Sequence, residues 1–170
     1  MNAESTRFLR WAIIVSAAAV LQIGLAADIS VAGVHPDLLL LVSICAGIVG
    51  GPGTGAGIGF TAGLLFDLFL PGRFGVTALA YLLVGYASGV AGDSVARPNR
   101  WISVAMVALA SAAGTLAYAV IGQMLGQRSM SDPRLGAIVG IVAVFNALLA
   151  LPTLAVCRWA EPEPTRIRVP

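Results

Sequence analysis

Residues 38 to 70 form an apolar run too long for one membrane crossing, and "GGPGTGAG" at residues 50 to 57 breaks it near the middle. As one straight helix the run measures about 50 Å at 1.5 Å per residue, against a hydrocarbon core of about 30 Å. Pro52 removes a backbone donor and crowds the preceding turn, and Gly50, Gly51 and Gly53 weaken the helix around it. The residues favour a hairpin of two short helices, 38–49 and 54–70. The first arm covers only about 18 Å. Its turn can sit below the lipid surface only where neighbouring helices cover it.

The rest of the chain explains why a bilayer is the right frame. Of 170 residues, 58% are hydrophobic and 11% charged. Soluble domains carry about 25% charged residues, and a core of this size cannot hide so many apolar side chains from water. Further apolar runs at 11–27, 74–91, 101–125 and 135–157 complete six spans. The sequence predicts an all-α, polytopic membrane protein of one domain, with a short interfacial loop at 31–36. Residues 160–170, "AEPEPTRIRVP", read as a flexible cytoplasmic tail. The first run also has the look of a signal peptide, with Arg7 and Arg10 ahead of it and "GLAAD" behind. The spans that follow favour a membrane helix instead.

Charge chooses between six spans and five. Every basic residue other than His35 is an arginine. With six spans and the N-terminus in the cytoplasm, arginines 7, 10, 97, 100, 158, 166 and 168 lie inside and 73, 128 and 134 outside. If 38–70 crossed once, the arginines would divide evenly between the two faces and give no orientation. Cytoplasmic loops are enriched in Lys and Arg, so the hairpin and two cytoplasmic termini are expected. The tryptophans point the same way. Arg10-Trp11, Arg100-Trp101 and Arg158-Trp159 all fall at the cytoplasmic interface, where indole and guanidinium anchor a helix at the headgroups.

Glycine recurs every fourth residue at Gly47, Gly51, Gly55, Gly59 and Gly63, and the stripe on the third span ends at Asp67. Residues four apart share a helix face. A bare-backbone stripe lets two helices approach closely in lipid. It serves either as a packing face within the chain or as a face for a partner's helix. Asp67 is the costly residue, since a carboxylate at mid-membrane costs roughly 3 kcal/mol and less near the surface. Its nearest cation is Arg73, and the N–H groups that open the next helix at Phe74 and Gly75 also suit an anion. Asp67, Arg73 and Gly75 therefore read as a clasp on the turn "LPGRFG". A partner contact and a proton or ion site are the alternatives.

Other polar groups in the spans are Gln22, Tyr81, Tyr86, Asp93 and Asn146. Asp93 can meet Arg97 at i+4. Asn146 suits a bond to a neighbouring helix, and Pro152 a kink in the last span. Cys45 and Cys157 each sit in an apolar run and suit small buried side chains. His35 is the sole histidine, which disfavours a His/Cys metal centre. The sequence carries no Ser/His/Asp arrangement, paired carboxylates or phosphate loop with its lysine. No enzyme activity and no cofactor are expected, and the net charge of +2 does not suggest nucleic acid.

Residues 35 to 89 resemble the MreD family of bacterial rod-shape-determining membrane proteins. The resemblance rests on "PDLLLL" at 36–41, "GFTAGLLFDL" at 59–68 and "GVTALAYLLVGY" at 75–86, in that order and spacing. Gly59, Gly63 and Asp67 fall in the family's glycine-and-aspartate segment. The "RWIS" loop and the Pro-rich tail depart from the family pattern. The resemblance implies a bundle similar to the substrate-binding subunits of energy-coupling-factor transporters, placed in the bacterial inner membrane. It implies a scaffold of the cell-elongation machinery that builds peptidoglycan. The implied partners are an MreC-like single-span protein, actin-like MreB, RodA and a penicillin-binding transpeptidase. The alternative is a small-molecule-binding subunit of an energy-coupling-factor-type transporter. Such a site needs convergent polar and aromatic groups near the outer face. The outer loops supply Asp28, His35, Arg73, Gln127, Arg128 and Asp132, with Phe74 as the one nearby aromatic.

Overall fold

The computed structural model describes residues 3–28, 35–69, 74–95, 99–126 and 133–161. Those residues form five helices: α1 (Ala3–Asp28), α2 (Leu38–Phe69), α3 (Val76–Ser94), α4 (Arg100–Met124) and α5 (Leu135–Ala160). All five contain a stretch long and apolar enough to cross a bilayer. The sequence predicts six spanning helices. The structure has five, because the two arms of the expected hairpin run through Pro52 as one assigned helix of 32 residues.

That helix is not straight. Gly51 has φ 81° and ψ 178°, a conformation that only glycine adopts readily, and it interrupts the helical backbone just before Pro52. The contacts on either side show a reversal of direction. A Cβ built on Gly55 would lie 2.6 Å from the Cα of Gly47. Two residues eight apart on a straight helix are about 12 Å apart along the axis. At the far end, Asp37 bonds Tyr81, and Phe66 stacks on that same tyrosine. Residues 37 and 66 flank the two arms, and a straight helix would separate them by more than 40 Å at 1.5 Å per residue. The two arms, 38–50 and 52–69, therefore lie side by side.

Helix α3 packs into the seam between the arms, and this is the most extensive helix pair in the molecule. Its Gly85 faces Gly55 of the second arm and Ser43 of the first. Gly89 abuts Pro52 at the turn, Gly59 meets Tyr81, and Gly63 meets Ala78. The glycine stripe is thus consumed inside the chain, against α3. Glycines on the other face of the second arm differ sharply, since a Cβ at Gly53 or Gly57 would meet nothing within 4 Å. The first arm is the most enclosed part of the fold. Residues Leu39 to Gly47 are all buried, whereas α4 and α5 bury only one residue at each turn or so.

Side-chain bonds mark the two ends of the bundle. At one end Arg7, Thr54 and Glu161 meet. At the other, Gln22 bonds the backbone of Leu38, Asp37 bonds Tyr81, and Asp67 bonds the start of α3. Residues near both termini of the described chain therefore lie together. Pro152 sits inside α5, which continues unbroken to Ala160. Cys45 on the first arm and Cys157 on α5 are fully buried free thiols.

A substitution pair tests the backbone contact. In Gly55→Ala the new methyl would lie 2.7 Å from the carbonyl carbon of Gly85. Overpacking of this kind costs about 1–3 kcal/mol. Gly57→Ala, two residues on, meets open space and should match or exceed the parent, because alanine is the better helix former. Thermal unfolding of the purified proteins in detergent should separate the two variants in that order.

Candidate functional site

The end of the bundle near Asp67 brings together polar side chains from several helices. Asp67 lies two residues before the end of α2, and its Oδ2 accepts from the N–H of Gly75 at 2.8 Å and of Ala78 at 3.3 Å. Gly75 is the N-cap of α3 and has no side chain to cap it. An N-cap side chain ordinarily accepts from the N–H three residues on, and here that is Ala78. Asp67 supplies the missing acceptor from the preceding helix. The carboxylate thereby gains two amide donors at the positive end of a helix dipole. Arg73, the other expected member of the clasp, lies outside the described residues. So do Arg97, the expected partner of Asp93, and loop residues Gln127, Arg128 and Asp132.

A second carboxylate stands beside the first. Asp37 caps α2, with its Oδ1 accepting from the Leu40 N–H at 3.0 Å. Its Oδ2 accepts from the Tyr81 hydroxyl at 2.5 Å. Gln22 of α1 joins the set, taking the Leu38 N–H at 2.6 Å and bonding Asp37. Burial raises the Asp37 carboxyl above its ordinary pKa, and the bonds from Tyr81, Leu40 and Gln22 oppose that rise. In the sequence Gln22 and Tyr81 stand out only as polar groups within spans, and Asp37 only as part of "PDLLLL". The legible signal was Asp37 as a capping residue ahead of an apolar run.

Around these groups lies a cavity of about 290 Å³ lined by all five helices. Its walls include Asp37, Phe66, Tyr81, Tyr118, Thr77 and Thr115. The loops were expected to offer Phe74 as the one aromatic near this end. The structure corrects that, because Phe66, Tyr81 and Tyr118 arrive from the helices themselves. Phe66 and Tyr81 stack with ring centroids 6.3 Å apart. One turn beyond the cavity wall, Asn146 Nδ2 donates to Ser111 Oγ at 3.0 Å, joining α5 to α4. Asn146 Oδ1 is buried and finds no donor among the described residues.

The opposite end is held by charge. Arg7 grips Glu161 through two nitrogens, with Nη2 2.9 Å from Oε1 and Nε 3.0 Å from Oε2. The same Nη2 donates to Thr54 Oγ1 at 2.7 Å, just past the Gly51 turn. Trp11 Nε1 donates to Glu161 Oε2 at 3.1 Å. Arg10 donates to the Trp159 carbonyl and stacks over its ring at 4.8 Å. This revises the anchoring role expected of Trp11. It is 4% exposed and faces Glu161, whereas Trp101 is 75% and Trp159 55% exposed. Arg100 and Arg158 are exposed at their helix ends. Glu161, assigned from sequence to the flexible tail, is the residue that ties α5 to α1. The remaining tail, 162–170, lies outside the described residues.

Between α1 and the second arm runs a groove of about 580 Å³. Small residues Ala12, Ser16, Gly57 and Thr61 line it, and Arg7 and Thr54 stand at one mouth. Among the described residues no cluster of three or more His, Cys, Asp or Glu side chains could hold a metal ion.

A family model described as rod shape-determining protein MreD matches residues 3–151. No curated protein and no solved structure matches the chain.

The Asp67 contacts predict an asymmetry between two substitutions. Asp67→Asn keeps an amide oxygen for the Gly75 and Ala78 N–H groups and should retain most membrane accumulation. Asp67→Leu strands both donors in an apolar setting and should lose about 1–3 kcal/mol. Quantitative immunoblots of membrane fractions and unfolding in detergent read the difference. Equal behaviour of the two variants would remove the capping role.

Proposed function

The chain belongs to the MreD family, and from that membership we propose that this integral membrane protein is a non-catalytic scaffold of the bacterial cell-elongation machinery. Its place is the cytoplasmic membrane, where peptidoglycan synthesis is organised to give rod shape. The observation that carries the reading is the family match over 149 of 170 residues, from 3 to 151. In this reading the reversal at Gly51 makes six crossings of five helices. The end that holds Arg7, Thr54 and Glu161 faces the cytoplasm, and the end that holds Asp37 and Asp67 faces outward. The arginine distribution supports that orientation.

A scaffold in lipid works by offering helix surface to other helices. The stripe Gly55, Gly59, Gly63 is already occupied by α3, so a partner's helix has to use another face. The groove between α1 and the second arm is the surface that suits one. Beside the larger Phe8, Trp11 and Leu65, its residues Ala12, Ser16, Gly57 and Thr61 are small enough for close backbone approach, and the space beside Gly57 is open. The proposed occupant is the transmembrane helix of an MreC-like single-span protein. MreB, RodA and a penicillin-binding transpeptidase join through that complex. Almost all of the described chain lies in helices long and apolar enough to cross a bilayer.

A photo-crosslinking residue placed at Gly57 or Ser16 in cells should capture a single-span membrane protein. The same residue at Leu109 of α4, which is 72% exposed on another face, should capture lipid. Capture of the partner from Leu109 and not from Gly57 or Ser16 would move the interface off the groove. Failure of any position to capture a membrane partner, with rod shape still dependent on this chain, would remove the scaffold reading itself.

A further inference from the structure

The cavity at the Asp67 end has a composition that lipid packing does not require. It is axial, because side chains from all five helices reach it. Three aromatic rings, Phe66, Tyr81 and Tyr118, stand on its walls together with the carboxylate of Asp37. Asp67, next in sequence to Phe66, lies at the same end of the bundle. Among the described lining residues the one basic side chain is His35. Carboxylate and aromatic side chains thus share the walls, and no arginine is among the described lining residues.

Carboxylate and aromatic walls together form the chemistry that holds organic cations. A ring face attracts a cation through its quadrupole, most strongly when water is excluded, and aromatic cages are the usual receptacle for quaternary ammonium groups. The volume of about 290 Å³ lies at the small end of ligand pockets, which limits the occupant to a few heavy atoms beyond its charged group. Polar side chains Gln22, Thr77 and Thr115 line the remainder and suit a hydroxyl or amide on the ligand. We propose that this cavity is a binding site for a small organic cation of the ammonium class, held by Asp37 and by the rings of Tyr81, Tyr118 and Phe66. Its opening toward the outer face rests on the topology proposed above, whereas binding itself does not depend on that topology or on the scaffold role.

The test uses the full chain purified in a maltoside detergent, which carries no ammonium headgroup. Isothermal titration calorimetry with choline as the probe should show saturable binding. Choline's uncharged isostere, with carbon in place of nitrogen, should bind at least about tenfold more weakly. Asp37→Asn keeps the α2 cap, because asparagine caps as well as aspartate, and should weaken choline by about tenfold or more. Tyr118→Leu should weaken it while leaving the Asp37–Tyr81 bond in place. Unfolding midpoints close to the parent's would show that both variants remain folded. Three results would overturn the proposal: no saturable heat, equal binding of choline and its isostere, or choline binding unchanged in both variants. Equal binding would leave an apolar cavity without cation chemistry.

Discussion

The backbone-to-backbone contact between α3 and the two arms of α2 is what the remaining structure depends on. In water, apolar side chains would drive helices together. In lipid they gain little by doing so, because the surroundings are already apolar, and close van der Waals approach decides which helices pair. Here Gly47, Gly55, Gly59 and Gly63 on one side meet Gly85, Gly89 and the backbone at Ala78 and Tyr81 on the other. Gly51 and Pro52 turn the chain so that both arms present glycine to one helix. Pro52 itself packs on Gly89, so the residue that breaks the helix also belongs to the interface. The break is covered by α3, which is the condition for irregular backbone within a membrane.

Polar groups then fasten the ends. The charged and amide side chains in the described bundle are few, and several at its ends tie one element to another. Asp67 caps α3 from the preceding helix, Asp37 caps α2 and holds Tyr81, and Gln22 joins α1 to the start of α2. At the opposite end one carboxylate, Glu161, receives Arg7 and Trp11, while Arg7 also reaches Thr54. Three elements distant in sequence are thereby tied at a single point. The question raised by an aspartate inside an apolar run has a local physical answer, since its charge is met by N–H groups that would otherwise lack an acceptor.

Hydrophobic runs, the Gly51–Pro52 break and the every-fourth glycine spacing were legible in the sequence, because each follows from bilayer thickness or helix geometry. So was Asn146 as a bond between helices, realised with Ser111. Less was legible where long-range packing decides. Periodicity could not say whether the glycine stripe would meet α3 or a partner. It could not show that Tyr81 and Phe66 would converge with Asp37, since they lie in three separate segments. Arg-Trp spacing suggested three equivalent anchors, yet Trp11 turned inward because Glu161, 150 residues away, offered an acceptor. Glu161 itself looked like tail because Pro-rich composition hid its role.

The central claim is that the chain reverses at Gly51, so that residues 51–54 lie at the same membrane face as the start of α1. Single cysteines at Gly53, Glu4 and Phe74, each exposed, can be labelled with a membrane-impermeant maleimide in intact and inverted vesicles, while the native Cys45 and Cys157 stay buried. The account predicts that positions 53 and 4 label from the cytoplasmic side alone and position 74 from the other side alone. Position 53 shielded from both sides, as the midpoint of one continuous spanning helix would be, contradicts it.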